Sequence, residues 1–410
     1  MASVLSYIPI VNRLVSTSRT QTIDIPPVEV HSVETSPEKR PRTLKHLLRA
    51  NHVNHSILYH NLEFHNHLPH ILGSAYLLGA DVQQLHKIYD VEAQDLEPWR
   101  ESPAEIAEDD WRDFLGQPAY QRAYVDFFED ALALRHNYQW KGVVEEYIYG
   151  GKEPLINCLI GGLGHPLIHL GYAYEVDSRE VAMEALGMAA TQYNFLHRYI
   201  DDASYSKPSS IEPSSPLELL LKLRNDTRLD GAFKGSGPDN IEPLFKKHED
   251  IVLEYWNAWA LDDPVRDFEL SQEAAVAILI ATVPPGTHSY NFFLCHVLTT
   301  SHAVRILLPF IPSRFRINLV RQWWLFAIAV YVSELRPKID PDYIKPEDVA
   351  GKQWNYVEDK ALNGPYSTDA HFVKVIRAIK EAARTWGDVH ERYLAAAVRF
   401  ADDFQGWTFS

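Results

Sequence analysis

The sequence predicts an all-α fold. Apolar residues recur with helical spacing almost everywhere from about residue 43 onward, and alternating, strand-like runs are essentially absent. The chain has 410 residues, of which 46% are hydrophobic and 23% are charged, so it can bury a large core. We therefore expect a large, compact, multi-helix bundle.

Each predicted helix is bounded by glycine, proline or an acidic cap. Gly164 followed by Pro166, for example, is typical of a helix start. In chain order, we expect helices near residues 43–61, 64–79, 81–90, 118–136, 152–161, 165–176, 179–200, 216–226, 241–261, 270–281, 288–308, 314–334, 367–386 and 388–404.

Two segments without sustained periodicity divide the chain. Residues 1–43 carry several prolines among charges and predict an extended N-terminal arm. Residues 206–216 are dominated by proline and serine and predict a linker. The bundle would then have two lobes, an N-terminal helical lobe over residues 44–205 and a C-terminal helical lobe over residues 217–410.

The charge balance limits the class of partner. The net charge of -16 argues against nucleic acid or an anionic membrane, because both need clustered Lys and Arg. The longest apolar runs are about half of the roughly 20 residues that a membrane span needs. The two cysteines favour a reducing compartment, and the N-terminal segment lacks the pattern of a secretory signal, so we expect a cytoplasmic protein.

Histidine is concentrated near the start of the chain. Six imidazoles lie within residues 52–70. At about 100° per residue, His60, His67 and His70 would share one narrow stripe of a helix. Spacings of three, four or seven residues allow one helix to present several imidazole nitrogens to a metal ion.

Two further helices carry aligned histidines. His165 and His169 are four residues apart, and His302 shares a stripe with Thr299, whereas His296 points elsewhere on that helix. Three helices that offer imidazoles to a common interior predict a metal site of the kind that helical bundles build. Histidine nitrogen does not by itself discriminate iron from zinc. The alternative is a non-catalytic helical binding or scaffold protein, in which the same histidines are structural.

Several common catalytic motifs are absent from the sequence. It contains no HExxH, CxxC, GxSxG or P-loop pattern. The glycines of residues 161–164 have the wrong spacing for a dinucleotide-binding loop, and we interpret them as a helix end.

Five motifs, which occur in the order found in a known family, resemble the questin oxidase-like family of fungal polyketide pathways. They are FHNHLPH at residues 64–70, YLLGA at 76–80, GHPLIHLGYAYE at 164–175, TTSHAVRILLP at 299–309 and DAHFVKVIRA at 369–378. The resemblance extends from about residue 45 to residue 400. It implies an oxygen-using enzyme that opens an anthraquinone ring, with dioxygen and a small aromatic polyketide as its partners.

The resemblance leaves two mechanisms open. One is a non-haem, iron-dependent dioxygenase that holds Fe(II) with four histidines and a carboxylated lysine and uses NADPH at most as an external reductant. The other is an NADPH-dependent Baeyer–Villiger monooxygenase without a bound metal. Carried onto this chain, the implied metal ligands are His60, His67, His165, His302 and a carboxylated Lys374, with His70 and His169 as substitutes.

The periodicity around Lys374 conflicts with this role. Lys374 falls opposite the apolar face of its predicted helix, and periodicity by itself indicates exposure to solvent. A carboxylated lysine instead requires that the face holding His371 and Lys374 be buried against the histidine helices. Thr299, one turn before His302, would then hydrogen-bond the new carboxylate.

Overall fold

The computed structural model describes residues 22–409 and confirms the all-α prediction. In that part of the chain the α-helices are α1 (Lys39–Asn54), α2 (Leu68–Leu78), α3 (Val82–Glu92), α4 (Gln121–Leu134), α5 (Trp140–Ile148), α6 (His165–Val176), α7 (Arg179–Thr191), α8 (Arg198–Asp201), α9 (Pro216–Arg224), α10 (Ile241–Asn257), α11 (Pro264–Ile280), α12 (Phe292–Leu307), α13 (Ser313–Ser333), α14 (Trp354–Asn363), α15 (Ala370–Trp386) and α16 (Arg392–Asp403).

Two pairs of very short strands also occur within residues 22–409. β1 (Leu58–Tyr59) pairs antiparallel with β2 (Phe64–His65). β3 (Tyr290–Asn291) pairs in parallel with β4 (Trp407–Thr408), which brings the end of the chain back to the start of α12.

Four helices form a closed ring at the centre of the molecule. α2 packs against α6, α6 against α12, α12 against α15, and α15 against α2. These helices come from distant parts of the chain, so their inner faces meet only in the folded protein. The side chains that project from their inner faces are therefore brought together by tertiary packing alone.

Two of the ring helices are enclosed along most of their length. Every residue of α6 is buried, and so is every residue of α12 from Leu294 to Leu307. α6 begins after Gly164, whose φ of 77° is left-handed and favours glycine, and Pro166 lies in its first turn. The predicted helix over residues 165–176 is therefore confirmed by the structure.

The prediction was wrong for the first histidine segment. Helix α1 ends at Asn54, and residues 58–65 form the β1–β2 hairpin instead of continuing as a helix. His60, Asn61 and Leu62 in its turn all have positive φ, which no α-helix permits. The helical stripe of His60, His67 and His70 therefore does not exist, because apolar spacing cannot detect a tight turn.

Other boundaries also differ from the prediction. Residues 152–161 contain only a short 3-10 turn at Leu155–Cys158, and the helix expected over residues 179–200 ends at Thr191. Helices α5 and α14 were not predicted. Some predicted helix ends are correct and others are wrong, because tertiary packing overrides weak helix propensities near the ends.

The predicted arm packs against the bundle where the structure describes it. Residues 1–21 lie outside the described residues, but Ile23, Ile25 and Val33 are buried, and the Val33 amide donates to the carbonyl of Val176. One cluster of buried apolar side chains contains residues from both sides of the 206–216 segment. The division into two lobes stays a prediction.

A bilayer crossing requires a long, apolar helix. Among the helices of residues 22–409, none has the necessary combination of length and apolar character.

Candidate metal centre

Four imidazoles from four separate segments converge inside the ring of helices. One ring nitrogen from each of His67, His165, His296 and His371 lies within 4.8 Å of the corresponding nitrogens of the other three. We call these residues the histidine tetrad. His67 immediately precedes α2, His165 is the first residue of α6, His296 lies on α12, and His371 lies in the first turn of α15.

Backbone carbonyls fix the ring orientation of two tetrad members. Nδ1 of His165 lies 2.6 Å from the carbonyl oxygen of Gly162, and Nδ1 of His296 lies 3.0 Å from that of Phe292. A carbonyl only accepts hydrogen bonds, so both Nδ1 atoms carry the proton and both Nε2 atoms offer a lone pair. This is the arrangement that metal-ligating histidines adopt.

The remaining contacts leave two of the tetrad nitrogens without a partner in the described residues. Nε2 of His165 lies 2.9 Å from Nε2 of His67. Nε2 of His296 and Nε2 of His371 are buried and have no hydrogen-bond partner within residues 22–409. Unpartnered polar atoms are rare in protein interiors, and several of them pointing to one place indicate a ligand site.

Burial keeps the tetrad neutral. It lowers the pKa of His67, His165 and His371 well below the ordinary value, and it lowers the pKa of His296 to about 3. For His67, His296 and His371 the next largest contribution is the positive charge of Lys374. Neutral imidazole is the form that binds a cation.

Lys374 is buried beside the tetrad, not exposed to solvent as its periodicity indicates. Only 1% of the residue is accessible, and Nζ has no hydrogen-bond partner in the described part of the chain. Burial lowers the pKa of Lys374 to about 8. The face that carries His371 and Lys374 is enclosed because α15 packs against both α2 and α12.

His65, on β2, supports the tetrad from one side. Its ring stacks on the ring of His165 with the centroids 3.8 Å apart and the planes 2° from parallel. Burial lowers the pKa of His65 to about 3. The stacked ring restricts the rotation of His165.

The two substitute ligands belong to a separate hydrogen-bonded chain. Nε2 of His70 lies 2.9 Å from Nδ1 of His169, and Nε2 of His169 lies 2.8 Å from the Glu184 carboxylate. The same carboxylate lies 3.0 Å from Nδ1 of His52, and Nε2 of His52 lies 2.8 Å from the half-exposed Glu129. The chain connects the protein surface with the buried His70 ring.

The structure does not bring His60 to the other predicted ligands. His60 is exposed in the turn between β1 and β2 and packs its ring against Phe64. The helix that would have aligned it with His67 is absent.

His302 is buried but lies outside the tetrad. It lies six positions after His296 on α12, so at about 100° per residue the two side chains point to different sides of the helix. Burial, followed by the positive charges of Arg377 and Arg305, lowers the pKa of His302 well below its usual value. His302 and Thr299 line a small cavity together with Glu175.

Sequence reasoning missed His296 and His371 as candidate ligands. His371 had a usable signal, since it lies one turn before Lys374 in the motif at residues 369–378. His296 had none, because α12 is buried on all sides and no polar face marks the direction of the site.

A surface cavity opens next to the tetrad. Its volume is about 400 Å³, and both His67 and His371 line it. Its other walls carry mainly aromatic rings and carboxyl groups from five parts of the chain: Tyr59, Glu92, Asp95, Leu96, Phe292, Tyr366, Asp369, Trp407 and Phe409. The tetrad therefore lies at the inner end of a cavity that a small molecule can enter.

Comparisons with known proteins identify the family of this chain. The Questin oxidase-like family model matches residues 64–379. A Baeyer–Villiger oxidase of Pestalotiopsis microspora is 25% identical over 366 residues, which cover 82% of this chain and 79% of that protein. A Baeyer–Villiger oxidase of Paecilomyces divaricatus is 27% identical over 365 residues, which cover 82% of this chain and 77% of that protein.

A questin oxidase of Aspergillus fumigatus is also similar. It is 25% identical over 381 residues, which cover 85% of this chain and 82% of that protein. The matched region of the family model includes every member of the histidine tetrad as well as Lys374. The chain belongs to the questin oxidase-like family.

Proposed function

We propose that this protein opens a ring of a hydroxylated anthraquinone from a polyketide pathway, with dioxygen as the oxidant and an iron ion bound by the histidine tetrad. Membership of the family makes the protein an oxidoreductase. Relatives named questin oxidase and Baeyer–Villiger oxidase support the reaction class.

The observation that carries the iron proposal is the convergence of four neutral imidazole nitrogens within 4.8 Å. Two of their Nε2 atoms are buried without a hydrogen-bond partner in residues 22–409, and two rings are held in the metal-binding tautomer by backbone carbonyls. An all-imidazole donor set suits a divalent first-row transition metal. Ferrous iron bound there would supply the reactivity toward dioxygen that side chains lack.

Lys374 is the proposed fifth ligand, as a carboxylated lysine. The ammonium group first loses one proton, and the neutral amine then adds carbon dioxide and releases a second proton, so that the side chain changes from a cation into an anion. An unpaired ammonium group beside four imidazoles would repel a metal cation, whereas the carbamate would attract it. The buried, unpartnered Nζ supports this assignment, and the buried, unpartnered hydroxyl of Thr299 on α12 is the proposed hydrogen-bond donor to the carbamate.

The surrounding protein has two further tasks in this proposal. Gly162, Phe292 and the stacked His65 hold the tetrad rings in position, so that the donor set does not reorganise during the reaction. The enclosed inner end of the cavity keeps bulk water from the reacting groups.

The reaction balances with dioxygen alone once the substrate is reduced. NADPH would act as the external reductant that converts the quinone into the hydroquinone. Addition of both oxygen atoms and cleavage of one ring carbon–carbon bond then convert the hydroquinone into a benzophenone acid that carries one new phenol. No further oxidant is required.

A metal-free, NADPH-dependent Baeyer–Villiger monooxygenase is the second candidate. The observation in its favour is the name that the relatives from Pestalotiopsis microspora and Paecilomyces divaricatus carry. In this version the tetrad would serve to bind and orient the substrate.

Elemental analysis of protein purified without oxygen distinguishes the two candidates. We expect bound iron in the wild type, its loss in Lys374→Ala, and partial recovery of iron and activity when acetate or formate replaces the missing carboxylate. Lys380→Ala is the matched control, because Lys380 lies on the same helix and pairs with Glu358 at the surface. Iron-free wild-type protein with full activity in the presence of chelators would remove the iron mechanism.

A further inference from the structure

The cavity beside the tetrad has the size and composition of a small-molecule site. Its volume of about 400 Å³ lies within the range of about 300–1,000 Å³ that is usual for ligand pockets. His371, which is 8% exposed, lines it and has a buried Nε2 without a hydrogen-bond partner in the described residues. A molecule in the cavity therefore lies against the tetrad.

Aromatic rings form one wall of the cavity. The rings of Phe292 and Phe409 lie 4.6 Å apart, centroid to centroid, and the ring of Trp407 lies 6.2 Å from that of Phe292. Phe409 is 60% exposed, which leaves its ring open to a ligand. A flat, polycyclic molecule can contact these rings through its π-system.

The end of the chain builds this wall. Strand β4 pairs with β3, and the indole Nε1 of Trp407 donates a hydrogen bond of 2.9 Å to the carboxylate of Asp369. These contacts hold Trp407 and Phe409 over the entrance to the tetrad.

Carboxyl groups from one further segment line the same cavity. Glu92 and Asp95, at and just beyond the end of α3, have no ion pair within residues 22–409. Burial, followed by the charge of Asp369, raises the pKa of Glu92 to about 7. These oxygens accept hydrogen bonds from phenols, and above about pH 7, once Glu92 is ionised, the charge of these groups repels anions.

We propose that this cavity binds the substrate as a neutral, flat, polyhydroxylated aromatic molecule and rejects molecules that carry a carboxylate. The rings of the ligand contact Phe292, Trp407 and Phe409, and its phenolic hydroxyls donate to Glu92 and Asp95. The inference rests on the proposed function for the class of substrate.

The charge of the cavity also has a consequence for product release. Opening of the ring creates a carboxylic acid, which ionises at neutral pH. The neutral substrate is accepted, whereas a carboxylate of the product placed beside Glu92 and Asp95 is repelled when these groups are ionised. The same carboxyl groups therefore select the substrate and favour departure of the product.

Binding of two matched probes to metal-free protein tests the proposal without turnover. Dantron is a neutral dihydroxyanthraquinone, and rhein has the same ring system with a carboxylate. We expect rhein to bind at least about tenfold more weakly than dantron, which corresponds to about 1.4 kcal/mol, and we expect added salt to reduce the difference. Tryptophan fluorescence quenching or calorimetry measures both affinities.

Variants assign the selectivity to this cavity. The double variant Glu92→Gln/Asp95→Asn should bring the two affinities together, Phe409→Ala should weaken both, and Asp239→Asn, an exposed acid outside the cavity, should change neither. Equal binding of rhein and dantron by the wild type, or an unchanged ratio in the double variant, would overturn the proposal. Selective binding by a protein that never opens a ring would instead overturn the proposed function and leave the cavity assignment standing.

Discussion

Nε2 of His67 and Nε2 of His165 lie 2.9 Å apart, although His67 precedes α2 and His165 begins α6. The Nδ1 proton of His165 is committed to the carbonyl of Gly162, so its Nε2 presents a lone pair toward His67. Either a proton on His67 or a cation ligated by both rings satisfies this contact. The pair is the closest approach within the tetrad that the hydrogen-bond geometry records, and the other two imidazole nitrogens lie within 4.8 Å of it.

The tetrad predicts which single histidine substitutions remove the metal. His296→Ala should abolish bound iron, because it deletes one of the four converging nitrogens, whereas His60→Ala should retain it, because His60 is exposed in the β1–β2 turn. Elemental analysis of both proteins, purified side by side without oxygen, measures the difference. Either retention of iron by His296→Ala or loss of iron from His60→Ala would contradict the tetrad.

We expect replacement of Lys374 to stabilise the metal-free protein and to abolish its activity. Replacement by Met removes a buried amine that has no partner in the described residues. The free energy of unfolding of metal-free Lys374→Met should therefore exceed that of the metal-free wild type by about 1–3 kcal/mol. Bound iron and activity should be lost. Chemical denaturation of metal-free protein measures the stability. As a control, Lys380→Met removes only a surface ion pair and should cost about 0–1 kcal/mol. Destabilisation of the metal-free protein by Lys374→Met would be inconsistent with an unpaired lysine.

Gly164 predicts a strongly destabilising alanine substitution. Its φ is +77°, and an added Cβ would collide with the side chain of Thr300 on α12, which displaces the start of α6 and with it His165. Gly231 is the matched control, because its φ is +70° but no atom lies within 4 Å of an added Cβ.

We expect Gly231→Ala to cost about 1–2 kcal/mol of unfolding free energy for backbone strain alone. Gly164→Ala should add about 1–3 kcal/mol for the steric conflict, and it should also reduce iron content. Urea denaturation of the two variants gives the difference. Equal costs would show that α6 and α12 can separate without penalty.

Because of His52, we expect the free energy of unfolding to decrease as the pH rises. Burial opposes its protonation, but the hydrogen bonds to Glu129 and Glu184 outweigh burial and raise its pKa from 6.5 to about 10. A raised pKa stabilises the folded state fully below pH 6.5, and this contribution disappears as the pH rises through about 10.

The unfolding free energy of the wild type should therefore decrease, relative to His52→Gln, by on the order of 3 kcal/mol between pH 6.5 and pH 10. Denaturation curves at a series of pH values measure the difference, which isolates His52 from other groups that titrate in this range. His46→Gln, an exposed histidine on the same helix, is the control and should follow the wild type. A difference that stays constant across this range would show that His52 is not held as a cation.

Local sequence signals were sufficient where a single helix decides the outcome. Gly164 and Pro166 correctly predicted the start of α6 and hence the common face of His165 and His169. Local sequence signals failed where the backbone reverses its direction. The positive φ angles of the β1–β2 turn cannot be recognised from the spacing of apolar residues. The predicted helical stripe of His60, His67 and His70 therefore arose by coincidence from the spacing of these residues in the sequence.

The amino-acid sequence by itself determined the all-α class, the family and the segments from which a metal site would be assembled. Tertiary structure alone decided that His296 and His371 complete the set with His67 and His165, and that Lys374 lies in the interior. The physical reason is that the local sequence of a helix determines only the directions of that helix's own side chains. Which directions converge depends on the closed packing of α2, α6, α12 and α15, whose contacts join residues up to about three hundred positions apart in the chain.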